Sequence, residues 1–139
     1  MPKFSLNSKA RLATCHILLQ DVFNEVVRHF DCAILCGYRT EAEQSRAVEE
    51  GRSFTLYPES KHNRVPADAV DVVPYPVDWE NLGRFRYFAG FTMGVAAKMG
   101  TPITWGGDWD RDTRLKDNRF NDMPHFQLVE SLKSGEVRT

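Results

Sequence analysis

Two histidines stand where their neighbours could make them chemical. His62 closes Ser60-Lys-His62 and is followed by Asp68 and Asp71, while His125 closes Asp122-Met-Pro-His125. Each lies at the edge of a run that reads as strand, beside acidic residues. Two imidazoles and one carboxylate can hold a zinc ion at about 2.0–2.2 Å and leave the fourth tetrahedral position to water. Such an ion brings the pKa of its water down towards about 7, and a nearby carboxylate must then take the proton. Asp122 could do so if the Met123-Pro124 turn brings it back over the metal. On pattern alone the alternatives stay open: Asp71 serves equally well as a hydrogen-bonding group at a strand end, and either histidine as an ordinary polar side chain.

Other candidates fall away. His16 and His29 lie in a helical stretch without a metal-binding partner at helical spacing, so they are left out of the site. Cys15, Cys32 and Cys36 are odd in number and sit in apolar segments, which fits buried free thiols rather than a disulfide framework. Cys32 and Cys36 share a strand face with Ile34, so core packing accounts for that pair better than a metal half-site.

The elements that must position these residues follow from periodicity. Leu12, Cys15, Leu19, Val22, Phe23, Val26 and Phe30 recur at helical spacing and predict one amphipathic helix from about Ser8 to Phe30. Asp31 to Tyr38 reads as a short buried strand. Thr40-Glu-Ala-Glu43 is a capping box that opens a helix ending near Gly51, and it leaves Arg39 at the strand-to-helix junction, where a guanidinium can be aimed at an anion. Arg52 to Pro66 is irregular. Ala67 to Val73 reads as a strand ended by Pro74 and Pro76. A helix begins at Asp78 and carries Phe85, Phe88, Val95 and Met99 as a buried stripe to Gly100. Ile103-Thr-Trp105 and His125 to Val129 are brief strands on either side of a long charged loop, and the tail 131–139 is expected to fray.

Bulk properties narrow the classes. A chain of 139 residues with 42% hydrophobic content can build one core, so one domain spanning 1–139 is expected and a disordered chain is not. A formal net charge of -1 offers no basic footprint for nucleic acid. The apolar runs are interrupted by charge, as by Arg86 and Lys98, so none spans a bilayer. The first residues lack the apolar stretch of a secretory signal, which gives a cytoplasmic location as the expectation.

Taken together and in order, Gly37-Tyr-Arg39-Thr40, Ser60-Lys-His62, Ala69-Val-Asp71-Val-Val-Pro74-Tyr75, Trp105-Gly-Gly-Asp108-Trp109 and Asp122-x-x-His125-Phe resemble the LAS-type zinc peptidases. Within that group the chain is most similar to phage endolysins of the L-alanyl-D-glutamate peptidase, or VanY-like, kind. The resemblance implies an α+β fold like that of the D-Ala-D-Ala peptidases and the hedgehog domain, with a central antiparallel sheet flanked by helices. It implies one catalytic zinc held by His62, Asp71 and His125, with Asp122 as acid/base. Arg39 would hold a substrate carboxylate or stabilise charge on the carbonyl oxygen, and Ser60 would brace the site or contact substrate. Family members often place the Asp seven positions after the first His. Here the interval is nine, which makes Asp68 a rival ligand to Asp71.

The implied activity is cleavage of the peptidoglycan stem peptide between L-Ala and D-Glu by a monomer held in the host cytoplasm until a permeabilising protein releases it. A D-alanyl-D-alanine carboxypeptidase or dipeptidase and a non-catalytic zinc-containing wall-binding module are the alternatives, and Asp122 favours an enzyme. Some relatives respond to calcium through the region of Asp108-Trp-Asp110-Arg-Asp112. This stretch lacks the glycine and the glutamate of an EF-hand, so regulatory Ca2+ ranks below an acidic loop in which Asp108 braces the zinc site.

Overall fold

Where the spacing predicts one helix from Ser8 to Phe30, the chain forms two. The structure is a computed structural model that describes residues 1–109, 111 and 122–129; the expected frayed tail and Asp110 and Asp112 of the acidic loop lie outside them. Helix α1 spans Leu6–Leu12 and α2 spans Ile17–Val27. Between them Cys15 pairs as an isolated parallel bridge with Ala67, His16 N–H donating to the Ala67 carbonyl at 2.8 Å and Ala67 N–H to the Thr14 carbonyl at 3.0 Å. Backbone groups that would continue the helix are spent on this distant partner, and His16 restarts it by accepting from Leu18 N–H through Nδ1 at 3.1 Å. The apolar face survives the break, with Leu12, Leu19, Val22, Phe23 and Val26 all buried.

Strand β1 (Cys32–Cys36) leads to α3 (Glu41–Glu49), which opens on the expected capping box: Thr40 Oγ1 accepts from Glu43 N–H, and Glu43 Oε1 accepts from Thr40 N–H. A 3-10 turn at Lys61–Asn63 precedes β2 (Ala69–Pro74). Helix α4 is Leu82–Met99, then come β3 (Ile103–Trp105) and β4 (His125–Leu128). The start of α4 differs from expectation, because Asn81 rather than Asp78 caps it, its side chain accepting from Arg84 N–H at 3.1 Å. Its buried stripe is Phe85, Phe88, Ala89, Thr92 and Ala96, while Val95 is half-buried and Met99 is exposed. Gly100, at φ 73°, ends the helix in the left-handed conformation that glycine adopts without penalty.

The strands make one antiparallel sheet in the order β1-β2-β4-β3, giving the α+β architecture expected. The last strand among the described residues therefore lies inside the sheet. Helices α2 and α4 meet on β4, where Phe23 packs edge-on against Phe126 at 5.3 Å between ring centres and Phe88 does so at 6.2 Å. No helix among the described residues is long and apolar enough to cross a membrane.

Candidate metal centre and its cleft

Sheet register brings the first two candidates together. Asp71 on β2 is the direct cross-strand partner of His125 on β4, and on its other side it faces Cys36 of β1. The ladder slips between Ile34 and Cys36, which takes Cys36 out of strict alternation. Cys32 is buried as expected, but Cys36 is only half-buried and its Sγ lies 3.9 Å from His62 Nδ1, at the margin of the site rather than in the core.

His62 arrives from outside the sheet, on the 3-10 turn. Ser60 caps that turn, its Oγ accepting from His62 N–H at 3.2 Å, and Asn63 Oδ1 accepts from Ser60 N–H at 3.1 Å. The turn is joined to the end of β1, with Arg39 N–H donating to the His62 carbonyl at 2.8 Å and Asn63 Nδ2 to the Arg39 carbonyl at 3.0 Å. Gly37 completes the seam, its carbonyl lying 2.8 Å from His62 Nδ1. A side chain at Gly37 would run into Thr14 Oγ1 and the Arg11 carbonyl, so only glycine lets this strand end approach the α1–α2 junction.

Three atoms converge at the centre. His62 Nε2 is 3.2 Å from Asp71 Oδ1, His125 Nδ1 is 3.3 Å from the same oxygen, and the two ring nitrogens are 3.3 Å apart. The other nitrogen of each ring is committed: His62 Nδ1 to the Gly37 carbonyl, and His125 Nε2 to Gln127 Oε1 at 2.7 Å. Both partners are acceptors, so those nitrogens carry the protons and the two inward nitrogens present lone pairs. Asp71 Oδ1 is buried and makes no hydrogen bond. Three electron-rich atoms held face to face repel one another unless a cation sits among them, and His62, Asp71 and His125 form a group that could hold a metal ion.

The charges state the same demand. Burial pushes the His62 imidazole down, but the Asp71 carboxylate outweighs it and raises His62 to about 10. Burial likewise pushes Asp71 up, and His62 and His125 reverse it, holding the carboxyl well below the usual carboxylate range. In the absence of a metal, a proton fills the place of the cation.

Asp68, the rival ligand, is directed elsewhere. Buried one residue past the Ala67 bridge, it pairs with Arg64 Nη1 at 3.0 Å, and the group that could hold a metal contains Asp71 instead. The long interval from His62 to Asp71 is taken up by the 3-10 turn and the bend at 64–66.

Asp122 lies beside the centre, Oδ2 3.8 Å from His125 Nδ1. Its turn is clamped at four points: Asp122 N–H to the Gly106 carbonyl at 2.9 Å, Gly106 N–H to the His125 carbonyl at 2.8 Å, Trp105 Nε1 to the Met123 carbonyl at 2.7 Å and Val72 N–H to the Pro124 carbonyl at 2.8 Å. Burial first, and then the charge of Asp71, raise the Asp122 pKa. Arg39 is buried behind Asp71, Nη2 3.4 Å from Oδ2, and its Nη1 donates to the fully buried Gln44 at 3.0 Å. Asp108 lines a separate cleft against α4 with Arg86 and Met93.

Reasoning from sequence missed Gln44, Gln127 and Gly106. The glutamines gave no signal, since an amide in a helix or strand is silent until its partner is known. Gly106 did stand in the Trp105-Gly-Gly-Asp108 motif, but its task depends on a segment that returns sixteen residues later. A cleft of about 290 Å³ opens over the centre, lined among others by Arg39, Phe54, Ser60, His62, Trp109 and His125. A second, of about 680 Å³, reaches it from the β1 side past Cys36, Asp71 and Trp79.

Comparison with known proteins meets this geometry. The phage L-alanyl-D-glutamate peptidase family matches residues 1–129. The L-alanyl-D-glutamate peptidase of Escherichia phage T5 is 30% identical over 136 residues, covering 91% of this chain and 98% of the relative. The crystal structure of the Serratia marcescens L-Ala D-Glu endopeptidase ChiX superposes with a TM-score of 0.73 at 27% identity, over 96% of this chain and 95% of that one. By sequence and by fold, the chain belongs to the phage L-alanyl-D-glutamate peptidase family.

Proposed function

We propose that the protein is a zinc-dependent peptidase that hydrolyses the L-Ala-D-Glu bond of the peptidoglycan stem peptide. The observation that carries this reading is the triangle of His62 Nε2, His125 Nδ1 and Asp71 Oδ1, with edges of 3.2, 3.3 and 3.3 Å. Ligands placed at about 2.0–2.1 Å around a tetrahedral centre lie roughly 3.3–3.4 Å apart. Two imidazoles with one carboxylate are a donor set that suits zinc better than calcium or magnesium. The names of the phage T5 relative and of ChiX support the choice of bond.

Zinc in this position would polarise the scissile carbonyl and acidify the attacking water. The remaining tasks belong to the chain. Asp122 takes the proton of that water and returns it to the leaving amine, and its raised pKa suits a group that must act as an acid in the second half of the reaction. Arg39 holds Asp71 in place and keeps a positive charge at the floor of the cleft. Ser60 fixes the turn that presents His62 and has its edge in the cleft, where it can meet the substrate backbone.

The phage T5 relative supports a bacteriophage setting, and within it we propose a monomer that waits in the host cytoplasm until a separate protein opens the membrane. The decisive experiment digests purified peptidoglycan with zinc-loaded protein and identifies the new termini by mass spectrometry. A new amino group on D-Glu is the expected result. Release of free D-Ala alone would replace the proposal with a carboxypeptidase, and wall binding without any new terminus would replace it with a binding module.

A further inference from the structure

Resting on the peptidase reading above, we propose that Arg52 is the substrate-binding residue that recognises the free carboxylate of D-Glu on the leaving side of the scissile bond. By position that task would fall to Arg39. The geometry gives Arg39 other work: it is buried, with Nη2 on Asp71 and Nη1 on Gln44, as part of the frame behind the metal centre.

Arg52 is placed by the end of α3. Gly51, at φ 75°, turns the chain back, and Arg52 N–H donates to the Ala47 carbonyl at 2.8 Å. That reversal sets Arg52 where the two clefts join. Among the described residues only Arg39, Arg52 and Asp122 line both. Glu50 Oε1 accepts from Arg52 Nε at 2.9 Å and lies 2.7 Å from Nη2, which orients the guanidinium from one side. Nη1 makes no hydrogen bond among the described residues, and the side chain is 54% exposed, so the Nη1–Nη2 edge is available to a carboxylate fork.

The chemistry of the stem peptide supplies that carboxylate. D-Glu continues the chain through its γ-carboxyl, so its α-carboxylate sits on the same carbon as the leaving nitrogen. A substrate with that nitrogen at Asp122 therefore carries its negative charge close to the cleft junction. The cleft beyond holds Arg46 and Trp79 as well as Glu43, whose carboxylate is already engaged at the N-terminus of α3 by Thr40 N–H at 2.9 Å. Arg39 is held by Asp71, so a D-Glu carboxylate at the junction meets the open edge of Arg52, and the peptide then runs with D-Glu towards Arg46 and L-Ala towards Phe54 and Trp109.

The test compares zinc-loaded wild type, Arg52→Gln and Arg52→Lys on the tripeptide L-Ala-γ-D-Glu-L-Lys and on the same peptide with the D-Glu α-carboxylate amidated. Wild type should favour the free acid by about tenfold or more in kcat/KM, as expected for a charge-assisted contact. Arg52→Gln should bring the ratio close to one, mainly through KM, and Arg52→Lys should restore part of it. Unchanged discrimination in Arg52→Gln overturns the proposal, as does loss of discrimination in Arg39→Gln with Arg52 intact. If wild type cuts neither peptide, the peptidase reading falls, and calorimetric binding of the dipeptide γ-D-Glu-L-Lys then decides this one. Weakening on Arg52→Gln supports carboxylate recognition, and equal affinity rejects it.

Discussion

Asp71 and Asp68 are three residues apart, both are acidic, and both are withdrawn from solvent, yet their surroundings assign them opposite roles. Asp71 Oδ1 looks at two imidazole lone pairs, whereas Asp68 is matched with the guanidinium of Arg64. Replacing Asp71 by Ala should abolish stoichiometric metal binding in elemental analysis of the purified protein. Asp68→Ala should keep its metal and lose stability instead, by about 1–3 kcal/mol for a broken charge-assisted hydrogen bond whose Arg64 end water can still reach, read from denaturant unfolding. The reverse pattern would make Asp68 the ligand. Asp122 calls for a different measurement. Asp122→Asn should keep one metal per chain while kcat falls by about 10²- to 10⁴-fold, the range for losing a positioned acid/base, and retention of most of kcat would remove that role.

At the scale of elements, the site is a problem of holding a turn still. The segment from Asp122 to His125 carries both the proposed acid/base and a proposed ligand, and Gly106 backs it so closely that an added methyl would strike the Asp122 carbonyl. Gly106→Ala must displace the turn, with a cost of about 1–3 kcal/mol in stability and a loss of about 10²-fold in kcat from misplacement. Wild-type kcat in a folded Gly106→Ala enzyme would show that the clamp is dispensable. These contacts also mark what could be read from sequence. The short strands, the Thr40 capping box and the ordered His62, Asp71 and His125 were legible because each depends on local pattern or on a motif. The break between α1 and α2 was not, because periodicity is unbroken across residues 13–16 and the cause lies at Ala67, some fifty residues away. Cys36 was misread for a related reason: strict alternation puts it in the core, and the slip in pairing with Asp71 moves it to the site margin.

For the whole molecule, the proposed metal centre would also be a structural tie, since its candidate ligands come from β2, from β4 and from a turn outside the sheet. Removing the metal with a chelator should lower Tm by about 10 °C or more, given about 4 kcal/mol from a ligand held at a thousandfold excess over its dissociation constant. Protons oppose the metal in a definite direction. In the metal-free protein His62, raised to about 10, holds a proton at neutral pH that binding must displace. The stability that this raised pKa lends the metal-free protein is complete below the unfolded value of about 6.5 and disappears as pH climbs through about 10. Metal affinity gains over the same interval, because proton competition fades, so the loaded form holds its stability while the metal-free form loses it. The difference in Tm between the loaded and metal-free forms should therefore widen as pH rises from about 6 to about 8. Scanning calorimetry at matched metal activity checks this, and a gap that narrows with pH would contradict the assignment of His62 as a ligand.

The position of β4 bears on how such a molecule is made. This strand carries His125, closes the sheet between β2 and β3, and is the last element among the described residues. A chain still emerging from the ribosome holds His62 and Asp71 long before it holds the third candidate ligand, and among the described residues β3 has only β4 to pair with. Two ligands on an unfinished sheet make neither a tetrahedral cage nor a cleft. The proposed centre would therefore come into being only once residues 125–128 are free to pair with β2 and β3, and a chain that stops short of them would be inert.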